Sequence, residues 1–146
     1  MTSVAQILKS KSDKAVYTIA ASATVFEAVK LMADKNIGAL VVVEGGKIAG
    51  LITERDYARK VVLMARSSKE TPVRDIMTSQ VLCVRPDQGS DECMALMTEK
   101  RLRHLPVLDE GKLIGLVSIG DLVKDVISEQ RFIIEQLEHY IAGDQG

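Results

Sequence analysis

Hydrophobic and polar positions follow one order along this chain, and that order occurs twice. A short segment rich in β-branched residues precedes a helical pattern, which is followed by an apolar run, a glycine-containing turn, a second apolar run and another helical pattern. Apolar residues three and four positions apart predict amphipathic helices, and short apolar runs between turn residues predict strands. The chain is therefore predicted to form β-α-β-β-α twice.

The predicted elements have similar lengths in the two copies. The first copy predicts strand Val16–Ile19, a helix capped at Ser22–Thr24 and ending near Asn36–Gly38, strand Ala39–Val43, a turn at Glu44–Gly46, strand Lys47–Thr53, and a helix from Asp56 through Met64. The second predicts strand Val81–Val84, helix Asp91–Lys100, strand Leu105–Leu108, a turn at Asp109–Gly111, strand Leu113–Ser118, and a helix from Gly120. A short helix or an ordered lead-in is predicted to begin at Val4–Leu8, and Arg66–Pro72 is the predicted linker.

A seven-residue motif marks the last strand-to-helix junction of each copy. Gly50–Asp56 and Gly115–Asp121 both read glycine, two apolar residues, a hydroxyl residue, two variable residues and aspartate, and they lie 65 positions apart. The register continues without a gap back to Glu27 and Glu92. Two repeats of this length indicate a pair of supersecondary units rather than a solenoid.

The repeat predicts a mixed α/β fold. A small sheet of short strands has too little core to be stable alone, so we expect the two units to pack sheet to sheet about a pseudo-twofold axis. The predicted boundaries are 1–68 for the first unit and 69–127 for the second, with an amphipathic helix and tail over 128–146. The last four residues, 143–146, are expected to fray.

Composition and motif content exclude several classes of protein. A net charge of −1 with 3% aromatic residues provides no basic stripe or stacking platform for nucleic acid, and no apolar run is long enough to span a membrane. Cys83 and Cys93 lie among apolar residues outside any C-x-x-C pair, which favours reduced structural thiols and a cytoplasmic protein. We expect no bound metal and no enzymatic activity, because no phosphate-binding glycine loop, nucleophile elbow or carboxylate pair with metal spacing is present.

Three features together resemble the tandem CBS-domain module, named after cystathionine β-synthase. They are the duplicated Gly-h-h-[Ser/Thr]-x-x-Asp junction, the segment Arg103-His-Leu-Pro-Val107, and the segment Val73-Arg-Asp-Ile-Met-Thr78 at the start of the second unit. The resemblance covers nearly the whole chain apart from the first few residues and the C-terminal helix. It implies a regulatory module that binds adenine nucleotides in two clefts between its units.

The aspartate of the motif has two interpretations. An acidic residue at a helix N-terminus often serves as a cap. A carboxylate can equally accept two hydrogen bonds from the vicinal hydroxyls of a ribose, as in dinucleotide-binding folds. The resemblance favours ribose binding by Thr53 with Asp56 and by Ser118 with Asp121, because the equivalent pair contacts the ribose in CBS modules.

The resemblance implies two nucleotide sites that differ in charge. The first combines Thr53, Arg55 and Asp56 with Thr78, Val81, Leu82, Leu102, Arg103 and His104. The second combines Ser118 and Asp121 with Ser12, Val16, Tyr17, Ile37, Gly38 and Ala39. Arg103 and His104 would bring polar or positive groups to the phosphates in the first site. His104 has a plainer interpretation as a structural hydrogen-bonding residue, and metal ligation lacks partners at ligand spacing.

We expect a stand-alone regulatory module that binds AMP, ATP or NAD(H) and relays occupancy to an unidentified regulated protein. The alternative is a structural dimerisation or scaffold module with empty clefts, and an enzyme is a third hypothesis. We also expect a homodimer that buries outward helix faces including Tyr57, Val61 and Met94–Met97 or their neighbours, with a contribution from the apolar stripe at Ser128–Ala142.

Overall fold

The computed structural model describes residues 2–142, so the predicted frayed tail, 143–146, lies outside the described residues. In chain order the elements are α1 (Val4–Ser10), β1 (Thr18–Ala20), α2 (Val25–Lys35), β2 (Ala39–Glu44), β3 (Lys47–Thr53), α3 (Glu54–Tyr57), a π-helical turn (Ala58–Val62), a 3-10 turn (Val73–Asp75), α4 (Ser90–Lys100), β4 (His104–Asp109), β5 (Lys112–Ser118) and α5 (Ile119–Ile141). The mixed class of helices and small sheets is confirmed.

The chain divides into two compact units, and each contains one copy of the glycine-to-aspartate motif. The first unit is Ala15–Leu82, and the second joins Met1–Lys14 to Cys83–Gly146. The sequence boundaries, 1–68 and 69–127, follow the repeat instead. The difference arises because residues 69–82 pack in the unit of the first motif, whereas α1 packs against β5 in the unit of the second.

The first unit has a three-stranded sheet in the order β1-β2-β3, with β1 parallel to β2 and β3 antiparallel to it. Gly45 and Gly46 form the hairpin turn with φ of 58° and 76°, values that glycine adopts without steric cost. Thr24 caps α2, and Asn36 ends it in the left-handed conformation, as the capping pattern predicts. The core lies between α2 and the sheet and includes Met32, Leu40, Ile52, Val61 and Ile76.

The described residues of the second unit form a two-stranded antiparallel sheet, β4-β5, and the predicted strand Val81–Val84 is wrong. Val84 alone bridges to Val107, donating from its N–H to the Pro106 carbonyl at 2.9 Å. A longer parallel ladder would next need an N–H from Pro106, which proline lacks. The equivalent position in the first unit is Val41, which pairs with Thr18 in β1.

The helices after the two motifs differ in length. Sequence predicts that the first runs through Met64, but α3 ends at Tyr57, continues as a π-helical turn and gives way to a turn in which Ala65 has φ of 54°. In contrast, α5 is one helix of 23 residues. The predicted C-terminal helix at 128–142 is therefore not a separate element but the second half of α5.

The predicted short helix at the start of the chain is confirmed, and it closes the core of the second unit. Ser3 caps α1 in a capping box with Gln6, and Val4 and Ile7 are fully buried. They join a cluster that includes Cys93, Met97, Leu105, Val107, Val117 and Leu122.

The predicted dimer face is wrong at two of its positions. Val61 is 1% exposed and Met97 is 3% exposed, because each fills the core of its own unit. A side chain that is buried in the core of its own unit cannot contact a second molecule unless that unit unfolds. Large apolar side chains are exposed instead at Val62, Leu63 and Met64 and along α5.

Candidate functional site

The hydroxyl and the carboxylate of each motif form a capping box at the start of a helix. The Asp56 N–H donates to Thr53 Oγ1 at 3.1 Å, and the Thr53 N–H donates to Asp56 Oδ2 at 3.0 Å. In the other unit, the Asp121 N–H donates to Ser118 Oγ at 3.2 Å and the Ser118 N–H donates to Asp121 Oδ2 at 2.8 Å. The three-residue spacing thus has a structural cause, because it joins the N-cap to the third helical residue. The capping interpretation is confirmed in both copies.

The carboxylate of Asp56 is nearly saturated by its own unit. Besides the capping bond, Oδ2 accepts from Thr53 Oγ1 at 3.1 Å. Lys60 Nζ lies 3.1 Å from Oδ1, and Thr78 Oγ1 is 3.5 Å from the same atom. A carboxylate accepts about four hydrogen bonds. A ligand hydroxyl must therefore displace the long bond from Thr78 or the half-exposed Lys60.

The carboxylate of Asp121 has fewer contacts in its own unit. Its Oδ2 accepts the capping bond and lies 3.0 Å from Lys11 Nζ, which also donates to the Leu116 carbonyl at 2.8 Å. The repeat position of Lys60 is occupied here by Asp125, whose Oδ2 is buried and has no hydrogen-bond partner among residues 2–142. The first motif thus has a lysine four residues after its aspartate, whereas the second has an aspartate at that position.

The strand before each motif places a different pair of residues beside it. Ala39 pairs with Thr53 in the first unit, and the Glu54 N–H donates to the Gly38 carbonyl at 3.0 Å. In the second unit His104 pairs with Ser118, and the Ile119 N–H donates to the Arg103 carbonyl at 2.9 Å. The structure thus brings each pair to the motif of its own unit. The assignment of each pair to the opposite motif stays a prediction.

His104 is the candidate residue whose titration the structure perturbs. Burial lowers the pKa of His104 below its ordinary 6.5; the Asp121 carboxylate acts in the opposite direction, and the charges of Lys11 and Arg103 lower the pKa further. The imidazole is therefore mostly neutral at neutral pH. A neutral imidazole offers one donor and one acceptor rather than a positive charge.

The lowered pKa of His104 predicts how stability depends on pH. The unfolded chain binds a proton at this side chain more readily than the folded one, so the free energy of unfolding should fall as pH decreases through and below 6.5. We expect this fall between pH 7 and pH 5 to be smaller in His104→Gln than in the wild type. Urea denaturation at several pH values measures it, and parallel curves for the two proteins would contradict the prediction.

The remaining predicted site residues are distributed over both units. Thr78, Val81, Leu82, Val16, Tyr17, Ile37 and Arg55 belong to the first unit, and Ser12 and Leu102 belong to the second. Tyr17 and Ile37 pack against the first core and Leu102 against the second, whereas Leu82 and Arg55 are exposed. Of this set, Thr78 hydrogen-bonds to a motif carboxylate directly.

The site residues predicted from sequence do not include the two lysines that contact the carboxylates. Lys60 lies four residues after Asp56 on a helical turn, and that spacing could have revealed the pair. Lys11 has no such signal, because it precedes Asp121 by more than a hundred residues and reaches it only through the packing of α1 on β5.

Side chains that can ligate metal, the two cysteines and the long helix α5 lie within the part of the chain that is described. No group of three or more His, Cys, Asp or Glu side chains within residues 2–142 is placed to hold a metal ion. Burial raises the pKa of both Cys83 and Cys93, which are free thiols. No helix in this range is long and apolar enough to cross a membrane.

Comparison with known proteins identifies the class. The family model of the CBS domain matches residues 4–63 and again residues 73–128, so the chain belongs to the CBS-domain family and carries two such domains. It is 43% identical to the CBS domain-containing protein CBSX3, mitochondrial, of Arabidopsis thaliana over 97% of this chain and 73% of that protein. The solved structure of a protein with CBS domains from Burkholderia ambifaria MC40-6 is 65% identical, with a TM-score of 0.85 over 88% of this chain and 96% of the other.

Two further solved structures concern ligands and assembly. The CBS domain pair of protein MJ0100, in complex with 5′-methylthioadenosine and S-adenosyl-L-methionine, is 27% identical, with a TM-score of 0.76 over 88% of this chain and 98% of that one. A hexameric CBS-CP12 protein from bloom-forming cyanobacteria is 31% identical, with a TM-score of 0.75 over 84% and 70% of the two chains. Structural neighbours of this chain thus include a pair that binds adenosine compounds and a protein that forms oligomers.

Proposed function

We propose that this protein is a regulatory module that binds an adenine nucleotide, AMP, ATP or NAD(H), through the carboxylates of its two motifs. The observation that carries the proposal is the duplicated capping box, which holds Asp56 and Asp121 in one fixed orientation each. A ribose presents two adjacent hydroxyl donors, and a pre-oriented carboxylate accepts them without loss of side-chain entropy.

The capping role does not compete with this function. A capping carboxylate donates nothing and still has acceptor positions left after the backbone N–H is bound. Within residues 2–142 the Asp121 carboxylate contacts the Ser118 N–H and Lys11, fewer partners than Asp56 has, so it has the greater capacity to accept ribose hydroxyls. Lys11 and Lys60 place a positive charge beside each carboxylate, and phosphates of a bound nucleotide would be attracted to them.

The family relation supports an adenosine ligand in general terms. MJ0100 is a CBS pair in complex with two adenosine compounds, and this chain shares its fold over nearly its full length. The relay of occupancy to a regulated protein belongs to the same proposal, since a ligand shifts a conformational equilibrium only when it binds one state more tightly. A cytoplasmic location and the absence of enzymatic activity stay predictions from the sequence, and the Arabidopsis relative is named as mitochondrial.

Isothermal titration with AMP, ATP, NADH and S-adenosylmethionine tests the proposal. We expect at least one of the four to bind with a dissociation constant below about 1 mM, the affinity equivalent of roughly 4 kcal/mol. The same ligand should be recovered chemically unchanged after incubation, as a sensor rather than an enzyme requires. If none of the four binds, the dimerisation or scaffold hypothesis replaces this proposal.

We also propose that the protein is a homodimer. Closed twofold symmetry is the commonest arrangement of soluble oligomers. The face expected from sequence is excluded at Val61 and Met97, which are buried. Tyr57 and Met94 of that face are only partly buried, and exposed apolar side chains along α5 offer further contact surface.

A further inference from the structure

The second half of α5 presents an apolar stripe that its own unit does not cover. Leu122 is the one buried residue of this helix, and every described residue from 127 to 142 is exposed. The large apolar side chains of this half are between 43% and 82% exposed: Ile127, Phe132, Ile133, Ile134, Leu137, Tyr140 and Ile141. Helices of about 12 to 15 residues are marginal in water, so this half of α5 needs a partner to be stable.

The spacing within the stripe is that of a coiled coil. Ile127, Gln130, Ile134, Leu137 and Ile141 are separated by three and four residues in alternation, which is the a and d pattern of a heptad repeat. Isoleucine occupies every a position of this series and leucine one of the two d positions. Such a series specifies packing against another helix of the same kind.

We propose that this stripe binds the same stripe of a second copy, so that two α5 helices pair in an antiparallel coiled coil centred near Phe132. The proposal deepens the homodimer of the preceding section and rests on it. The second copy is the occupant that the sequence fits, because a heptad seam is complementary to itself.

The exposed area matches what such a dimer needs. A stable interface buries about 800 Å² on each partner. An aromatic side chain such as Tyr140 buries about 150–250 Å² when it is covered. The stripe also contains four isoleucines and one leucine: Ile127, Ile133, Ile134, Ile141 and Leu137. These side chains are about half exposed or more, so together they supply an area of this order.

Charge complementarity selects the antiparallel orientation. Lys124, Arg131 and Glu138 fall on the e positions of the heptad, and e faces e in an antiparallel pair. Arg131 of each copy then faces Arg131 of the other, one like-charge contact against two contacts of opposite charge. When the d residue Leu137 of one copy packs against Ile127 of the other, Lys124 of each copy lies beside Glu138 of its partner, which forms two opposite-charge pairs. In a parallel pair e faces g, where this helix has Val126, Ile133 and Tyr140, so both charges would lack partners.

The same register explains an exposed residue nearer the start of α5. Val123 is 46% exposed although it precedes the uncovered half of the helix. In the antiparallel register Ile141 of the second copy packs against Val123. The seam therefore runs from Val123 to Ile141 and is apolar at each a and d position except Gln130.

Sedimentation of the full chain with a matched pair of variants tests the surface. Leu137→Asp places a charge in the seam and should raise the dimer dissociation constant on the order of 100- to 1000-fold, as leaving a buried charge unpaired does. Phe132→Asp is the control, because Phe132 is equally apolar and 62% exposed but lies on the opposite face, and this variant should remain dimeric. Ile134→Asp should repeat the effect of Leu137→Asp, and circular dichroism confirms that each variant is folded.

A charge exchange tests the orientation. Lys124→Glu should weaken the dimer by about 2- to 10-fold, the effect of losing exposed ion pairs, and adding Glu138→Lys should restore it. No restoration would overturn the antiparallel pairing. A wild-type protein that is monomeric with and without AMP, or a Leu137→Asp variant that stays dimeric, would overturn the whole proposal.

The titration with nucleotide separates this proposal from the proposed function. Leu137→Asp should bind the same nucleotide as the wild type, because the substitution lies far along α5 from Asp121. Loss of the dimer with binding retained supports the seam alone. Binding absent from a wild-type protein that is dimeric through the seam would contradict the nucleotide proposal and leave the seam intact.

Discussion

Replacing Asp121 by alanine is expected to weaken nucleotide binding by about 10- to 150-fold, the loss that follows when a charge-assisted hydrogen bond of roughly 1.5–3 kcal/mol is removed. Asp56→Ala should act in the same direction at the other motif. The effect should be smaller there, because Asp56 already accepts from Thr53, Lys60 and Thr78 and so has less capacity for a ribose. Isothermal titration with the nucleotide that binds the wild type gives both values.

Both substitutions also remove half of a capping box, so a control must separate stability from binding. Thr24→Ala removes the cap of α2, where Thr24 Oγ1 accepts from the Glu27 N–H at 3.1 Å, and it should cost about 1 kcal/mol of stability. We expect Thr24→Ala to bind nucleotide like the wild type. If the two aspartate variants lose stability by a similar amount and keep full affinity, the motif is a cap and nothing more.

The hydrophobic pattern was sufficient to predict most elements of the fold. The hairpin strands β2, β3, β4 and β5 lie within one residue of their predicted bounds, because each is a short apolar run between glycine-containing turns. The helices α2 and α4 are also found where the spacing predicts them. Local sequence determines these elements, since each depends on residues within a few positions of one another.

The failures come from residues whose effect depends on a partner strand or on a distant segment. Val81–Val84 has the composition of a strand, yet it cannot extend its ladder because Pro106 on the neighbouring strand lacks an N–H. Pro106 stands where the first copy has Val41, and Pro86 stands where it has Ala21, whose N–H donates to the Val43 carbonyl at 3.2 Å. Nothing within the predicted strand itself carries that information.

The candidate site shows the same limit. The hydroxyl and the carboxylate could be found from the repeat, because the capping box is a local structure with a fixed spacing. Lys11 could not, although its charge lies 3.0 Å from the Asp121 carboxylate. Its position depends on the packing of α1 in the unit that contains α5.

The glycines at the start of the two motifs should respond differently to alanine, and Gly50→Ala should be the more destabilising. A Cβ atom at Gly50 would lie 2.6 Å from the Thr78 carbonyl oxygen and 2.9 Å from Met77 Sδ. The Thr78 carbonyl is fixed by the Leu51 N–H, which donates to it at 2.9 Å, so the backbone must move to admit a methyl group. Such overpacking costs about 1–3 kcal/mol, and we expect Gly50→Ala near the upper end.

Gly115→Ala meets a softer neighbour at the equivalent position. Its Cβ would lie 2.6 Å from Leu8 Cδ2, a side-chain atom that can turn to another rotamer. We expect a loss of about 1 kcal/mol, partly offset because alanine also lowers the entropy of the unfolded chain. Gly38→Ala is the control and should be close to neutral, since its Cβ would lie 3.3 Å from the flexible Glu54 carboxylate. Urea denaturation of the three variants measures the order, and equal losses at Gly50 and Gly115 would show that the Thr78 carbonyl yields as readily as a leucine side chain.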